Sequence, residues 1–194
     1  MLDTHARKYV NPVIECGAKF LLKLKLTPNN VTLLALLLGI STSIFIYFDM
    51  NIVAVIVLWL SGYLDAVDGA MARRSNTSSS FGTLLDIVSD RVVELSMILV
   101  LGLMFVDVRF NLIILTASIL ISMTVFLTVG ALTEKKGMKS FYYQAGVAER
   151  SEGFIMFSLM ILLPNYLGVI TNIFSILVLF TAMQRFFEAK KILD

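Results

Sequence analysis

Two apolar runs, each long enough to cross a bilayer, carry paired aspartates. Asp65 and Asp68 lie in one and Asp86 and Asp90 in the next, within LDAVDGAMARRSNTSSSFGTLLDIVSD. A charged side chain at the centre of a membrane helix costs at least ~2.5–3.5 kcal/mol, and it faces a partner or a water-filled cavity. Four carboxylates brought together repel one another and stay ionised only with cations between them. The pattern implies a metal site in a helical, membrane-embedded chain.

The bulk of the sequence agrees. Its 194 residues are 58% hydrophobic and 15% charged, against roughly 25% charged in a soluble domain. A net charge of +2 is too small for a nucleic-acid partner. The single cysteine, Cys16, excludes an internal disulfide and a cysteine-based zinc site, and His5 stands alone near the start. The first residues lack the compact apolar core and small-residue cleavage site of a signal peptide, so none is expected.

Residues 3–26 mix apolar side chains with Arg7, Lys8, Lys19, Lys23 and Lys25. They predict an amphipathic helix on the membrane surface, its lysines towards anionic headgroups. The division expected is a juxtamembrane helix over 1–26 and a six-helix transmembrane catalytic domain over 27–194. Thr27-Pro28 reads as an N-cap followed by proline in the first helical position. Six apolar runs follow, at about 30–48, 51–72, 82–105, 110–133, 150–166 and 168–188. The fifth is short before Pro164. Gly39, Gly62, Gly69, Gly82 and Gly130 dot the chain as close helix packing requires. The hydroxyls of run four, among them Thr116, Ser118 and Thr124, are expected to serve packing. The fold class is therefore all-α.

Positive charge sets orientation. In a six-span arrangement the N-terminal segment, Arg73 and Arg74, the segment with Lys135, Lys136, Lys139 and Arg150, and the tail with Arg185, Lys190 and Lys191 all fall on one side. The opposite loops hold only Arg109. Both termini and the aspartates are thus expected on the cytoplasmic side, and the membrane expected is a prokaryotic cell membrane.

Asp65 and Asp68 are three residues apart and Asp86 and Asp90 four apart, so each pair points from one helix face. Glu94 extends the second stripe. The short connection between Gly69 and Gly82 predicts that the two helices are antiparallel neighbours whose acids meet at one depth. Oxygen ligands without His or Cys suit a hard cation, Mg²⁺ or Mn²⁺, which retains waters and takes one or two carboxylates plus substrate phosphates. Arg73, two turns beyond Asp65, is placed to pair with phosphate. Buried ion pairs holding a bundle together would need more cations within the helices than the sequence supplies.

Asp65-x2-Asp68-Gly69-x2-Ala72-Arg73-x8-Gly82-x3-Asp86-x3-Asp90 resembles, without gap or substitution, the signature of the CDP-alcohol phosphotransferases (CDP-alcohol phosphatidyltransferases). Pro28-Asn29-x2-Thr32 looks like the short element before that family's first membrane helix. The resemblance implies an enzyme that moves a phosphatidyl-type group from a CDP-linked lipid to a small alcohol, releasing CMP. It implies that Asp65, Asp68 and Asp86 ligate two divalent cations, and that Asp90 is the general base with a share in the second metal. Gly69, Ala72, Arg73 and Gly82 would line the CDP pocket, with Asn29 and Thr32 on the cytidine side. A homodimer among membrane lipids is expected by the same analogy.

The acceptor is read from cations outside the signature. Arg150 and Arg185 look like the positions at which phosphatidylinositol-phosphate synthases of the family hold the phosphate of inositol phosphate, with a lysine in the preceding loop, here Lys135. A phosphorylated polyol is expected, inositol phosphate first. Glycerol 3-phosphate would use a similar anion pocket, whereas free inositol or serine would need less positive charge. A cation transporter or channel is the rival of another class. It would place carboxylates at the midplane and would have no need of Gly69, Arg73 and Gly82 at their spacings.

Overall fold

The computed structural model describes residues 2–132, 146–147 and 150–193. They form seven α-helices: α1 Leu2–Lys23, α2 Pro28–Tyr47, α3 Asn51–Arg74, α4 Ser80–Met104, α5 Arg109–Leu132, α6 Arg150–Leu162 and α7 Leu167–Leu193. Short 3₁₀ turns, Val106–Val108 and Pro164–Tyr166, precede α5 and α7. The six runs expected from hydropathy are α2 to α7, and α1 is the helix expected ahead of them. Lys135, Lys136 and Lys139 lie outside the described residues.

Thr27 caps α2 as expected: its hydroxyl accepts from the Asn30 amide at 3.3 Å, with Pro28 in the first turn. Ser79 caps α4 in the same way, accepting from the Gly82 amide at 3.0 Å. The stops of α1, α2 and α3 use no glycine. Lys25, Asp49 and Asn76 adopt φ of 59°, 56° and 54°. In each case the next amide reaches back to close the last turn, as Leu26 N does to Leu21 O at 3.2 Å and Met50 N to Phe45 O at 2.9 Å.

Among the described residues, four helical segments are long and apolar enough to cross a membrane: Pro28–Tyr47, Asn51–Arg74, Val106–Leu132 and Pro164–Lys191. Large apolar side chains stand exposed along them, Leu37, Ile52, Ile56 and Phe110 among them. Water does not tolerate so extensive an apolar surface, and lipid does. The chain is an integral membrane protein. Of the six expected spans, α4 and α6 fall outside this group. α4 carries Asp86, Asp90, Arg91 and Glu94 in its first 15 residues, and α6 has 13 residues, or ~20 Å against a hydrocarbon core of ~30 Å.

The helices fall into two compact units, His5–Phe105 and the segment Val106–Asp194. In the first, α2 packs along both α3 and α4. The expected approach of α3 and α4 is also seen: their acids converge, and Ser61 of α3 and Val93 of α4 both lie against one residue of α2, Gly39. The short connection between them brings their ends together, and α2 is the partner they share. Gly39 marks the crossing. A Cβ there would collide with Val93 Cγ2 of α4 and lie 2.9 Å from Ser61 Oγ of α3. Ser61 also donates to Ala35 O at 2.7 Å, and Ser43 donates to Ser96 at 2.8 Å. Gly39→Ala is expected to cost about 1–3 kcal/mol through overpacking, read as a lowered Tm in detergent.

α1 is seated on this unit through Ala18, which shares a buried cluster with Val31, Val67, Ala70 and Met71. Tyr63 Oη donates to Val13 O at 3.1 Å. In the second unit α7 packs on α5 and α6. Asn111 donates to Asn172 at 2.8 Å, and Phe157 meets Phe174 edge-on. Thr116, Ser118 and Thr124 each donate to a carbonyl four residues back at 2.8 Å. Their hydroxyls are therefore satisfied within α5 and leave the helix free to pack.

Candidate metal centre

The acids of α3 and α4 converge. One carboxylate oxygen from each of Asp65, Asp68 and Asp86 lies within 4.8 Å of the others. Asp65 and Asp68 are buried at 7% and 5% exposure, and Asp86 is half-buried. Helical spacing explains the pairing on α3, and the capped start of α4 brings Asp86 to the same level.

The residues fit a divalent cation. Oxygens on a single octahedral ion at ~2.1 Å stand roughly 3–4 Å apart, so modest side-chain rotation closes a 4.8 Å spread. The donors are hard oxygens, the preference of Mg²⁺ and Mn²⁺. Asp65 Oδ2 and Asp68 Oδ2 are buried and receive no hydrogen bond, although both residues have other interactions. Buried oxygens of like charge at this separation favour a cation between them. Arg91, next to Asp90 in sequence, is committed to Glu94 at 2.6 Å, and Arg74 to Glu15 at 3.5 Å. Asp90, one turn beyond Asp86, stands outside the converging trio.

The other signature residues gather around the same helix ends. Arg73 folds back over Gly69, with Nη1 at 3.3 Å from where a Cβ would stand. Asn29 Oδ1 is 3.4 Å from the corresponding point at Gly82, so the first turns of α2 and α4 abut. A Cβ at either glycine would press on these side chains, which would have to give by a few tenths of an ångström. Thr32 is buried and donates to Pro28 O at 3.1 Å, which turns its hydroxyl into its own helix. Ala72 is half-buried beside Arg73.

The cations expected for an acceptor belong to the second unit. Arg185 on α7 is buried at 7% exposure, its guanidinium 4.8 Å from the centre of the Phe126 ring. Gly146 lies against Thr181 and Arg185. Arg150 opens α6, 6.0 Å from the ring of Phe154. Lys135 lies outside the described residues. Phe126 and Gly146 had no signal in the sequence: one is an aromatic residue within an apolar run, the other a glycine in a polar loop. Stacking on Phe126 fixes the plane of Arg185 and adds about 0.5–2 kcal/mol to its placement.

Known proteins share both the sequence and the fold. The profile of the CDP-alcohol phosphatidyltransferase family matches residues 25–186. The chain belongs to this family. An archaetidylinositol phosphate synthase of Pyrococcus horikoshii is 32% identical over 197 residues, covering 100% of this chain and 99% of that one. A crystal structure of the Mycobacterium tuberculosis phosphatidylinositol phosphate synthase with CDP-DAG bound has a TM-score of 0.74 at 21% identity, over 92% of this chain and 94% of that one. The same enzyme in complex with manganese and citrate has a TM-score of 0.73 at 21% identity, over 91% and 88%. These two likenesses carry the fold. As a CDP-alcohol phosphatidyltransferase the chain is a transferase of phospholipid biosynthesis, moving a substituted phosphate group from a CDP-linked donor to an alcohol.

Proposed function

We propose that the acceptor is a phosphorylated polyol, inositol phosphate first, and that the reaction takes place at the cytoplasmic end of a six-span membrane domain preceded by a surface helix. The observation that carries this reading is the convergence of Asp65, Asp68 and Asp86 beside Gly69, Arg73, Asn29 and Gly82. Acids for a hard cation and close backbone for a nucleotide stand at one set of helix ends. The Pyrococcus relative named for an inositol phosphate product supports the choice of acceptor.

Asp65, Asp68 and Asp86 would hold the metal, with Asp90 contributing to a second ion. Bound there, two Mg²⁺ or Mn²⁺ ions would neutralise the diphosphate and stabilise the attacking and leaving oxygens of an in-line displacement. Arg73 and the amides near Gly69 and Gly82 would bind the CDP moiety, with Asn29 and Thr32 towards the cytidine. Asp90 would take the proton of the acceptor hydroxyl. That oxygen bonds to the phosphatidyl phosphorus as the diphosphate bridge breaks, and CMP departs. Lys135, Arg150 and Arg185 would hold the acceptor's own phosphate. Glycerol 3-phosphate would fit the same charges, whereas free inositol or serine would leave them unused.

The distribution of basic segments supports, through the positive-inside rule, both termini and the site on the cytoplasmic side, and a prokaryotic cell membrane belongs to the same reading. The division into a surface helix, 1–26, and a catalytic domain, 27–194, belongs to this reading, as does a homodimer among membrane lipids.

The test is CMP release from CDP-diacylglycerol by the purified chain, with Mg²⁺ or Mn²⁺ and a panel of alcohols. Release is expected with inositol phosphate and is expected to stop with EDTA. Release supported only by free alcohols would overturn the acceptor, and release indifferent to EDTA would overturn the metal centre. Arg150→Ala is expected to raise the acceptor KM by roughly 10- to 100-fold, the loss of a hydrogen bond to a charged group, with the donor KM little changed. An unchanged acceptor KM would remove Arg150 from that pocket.

A further inference from the structure

Arg73 and Arg74 are consecutive but serve different faces of α3. Arg73 lies over Gly69, whereas Arg74 reaches Glu15 of α1 at 3.5 Å. Arg74, Lys19, Leu22 and Lys23 line a groove of about 390 Å³ between α1 and the end of α3. Among the described residues, Lys19, Lys23 and Arg74 face it, with the Glu15 carboxylate beside Arg74. The volume is at the lower end of the range for small-molecule sites, enough for a headgroup.

Helix dipoles account for Lys23 and Arg74 singly, since each stands in the last turn of its helix. They do not account for Lys19, a turn earlier. Lys19 and Lys23 are four apart on α1, a mildly unfavourable like-charge spacing, and Glu15, four residues before Lys19, is already shared with Arg74. The apolar surroundings are equally specific. Leu22 packs against the buried cluster around Ala18 and Met71, and Val13, Phe20 and Leu24 of the same segment stand exposed. Cations beside exposed apolar residues mark a boundary between headgroups and acyl chains.

We propose that this groove binds the headgroup of an anionic phospholipid that is neither donor nor acceptor. Arg74 pairs bidentately with the phosphodiester in exchange for Glu15, Lys19 and Lys23 add charge, and Leu22 meets the glycerol end of the chains. The site ties α1 to α3 through a lipid. The inference rests on the membrane reading and on no part of the transfer chemistry.

Native mass spectrometry of the full chain in detergent tests it, with phosphatidylglycerol against phosphatidylcholine of the same acyl chains. A phosphatidylglycerol adduct is expected to be retained in preference. The triple variant K19Q/K23Q/R74Q is expected to bind it at least about tenfold more weakly. Glu15→Gln, which releases Arg74, is expected to bind it more tightly and guards against misfolding as the cause of any loss. Equal retention of the two lipids, or equal phosphatidylglycerol binding by the triple variant and the parent, would overturn the site. Displacement by millimolar inorganic phosphate would make the groove a soluble-phosphate site and overturn the lipid assignment. CMP release, measured alongside, separates this failure from that of the transferase reading.

Discussion

Asp68→Asn is expected to abolish CMP release for practical purposes while leaving the protein folded. The substitution keeps the shape of the side chain and removes one anionic donor from a trio whose oxygens lie within 4.8 Å. Charge stabilisation at such a centre is worth several kcal/mol, and at tenfold per ~1.4 kcal/mol the loss is roughly 10³-fold or more. Stability should move the other way. Asp68 is 5% exposed beside two further carboxylates, so neutralising it relieves like-charge repulsion in metal-free protein. The Tm in EDTA is expected to hold or rise, and its increase on adding Mn²⁺ to shrink. Turnover within tenfold of the parent would remove Asp68 from the centre.

Asp90→Asn should separate chemistry from binding. A general base contributes about 10²- to 10⁴-fold, and the loss of turnover should fall in that range. Asp90 stands outside the trio of Asp65, Asp68 and Asp86, so metal-dependent binding of the CDP-lipid is expected to survive. Isothermal titration with CDP-diacylglycerol in Mn²⁺ reads this directly. Loss of binding together with turnover would assign Asp90 to the metal shell instead.

Much of the site was legible because its chemistry is written in short-range spacing. Asp65 and Asp68 share a helix face by periodicity alone, as do Asp86 and Asp90, whereas the Ser79 cap that starts α4 was seen only in the structure. The stops at Lys25, Asp49 and Asn76 were less legible, since left-handed closure is signalled by glycine and none stands there. The packing of α2 along both α3 and α4 was not legible, for a different reason. Loop length constrains where helix ends meet, but which helix fills the space alongside depends on side-chain volumes. Gly39 decides that packing and looks in sequence like any other small residue of an apolar run. The seat of Arg185 over Phe126 joins residues 59 positions apart, beyond the reach of any local pattern.

The placement of α2 has a mechanical consequence. The two acid-bearing helices lean side by side on one strut, since Val93 of α4 and Ser61 of α3 both stand within 3 Å of where a Gly39 Cβ would be, so crowding at residue 39 acts on both at once. Rolling either span by a few degrees on that strut would widen or narrow the gap between their carboxylates without disturbing its own hydrogen-bond ladder. A substitution well away from every acid could thus retune the centre, making Gly39 a natural place to look for altered ion preference.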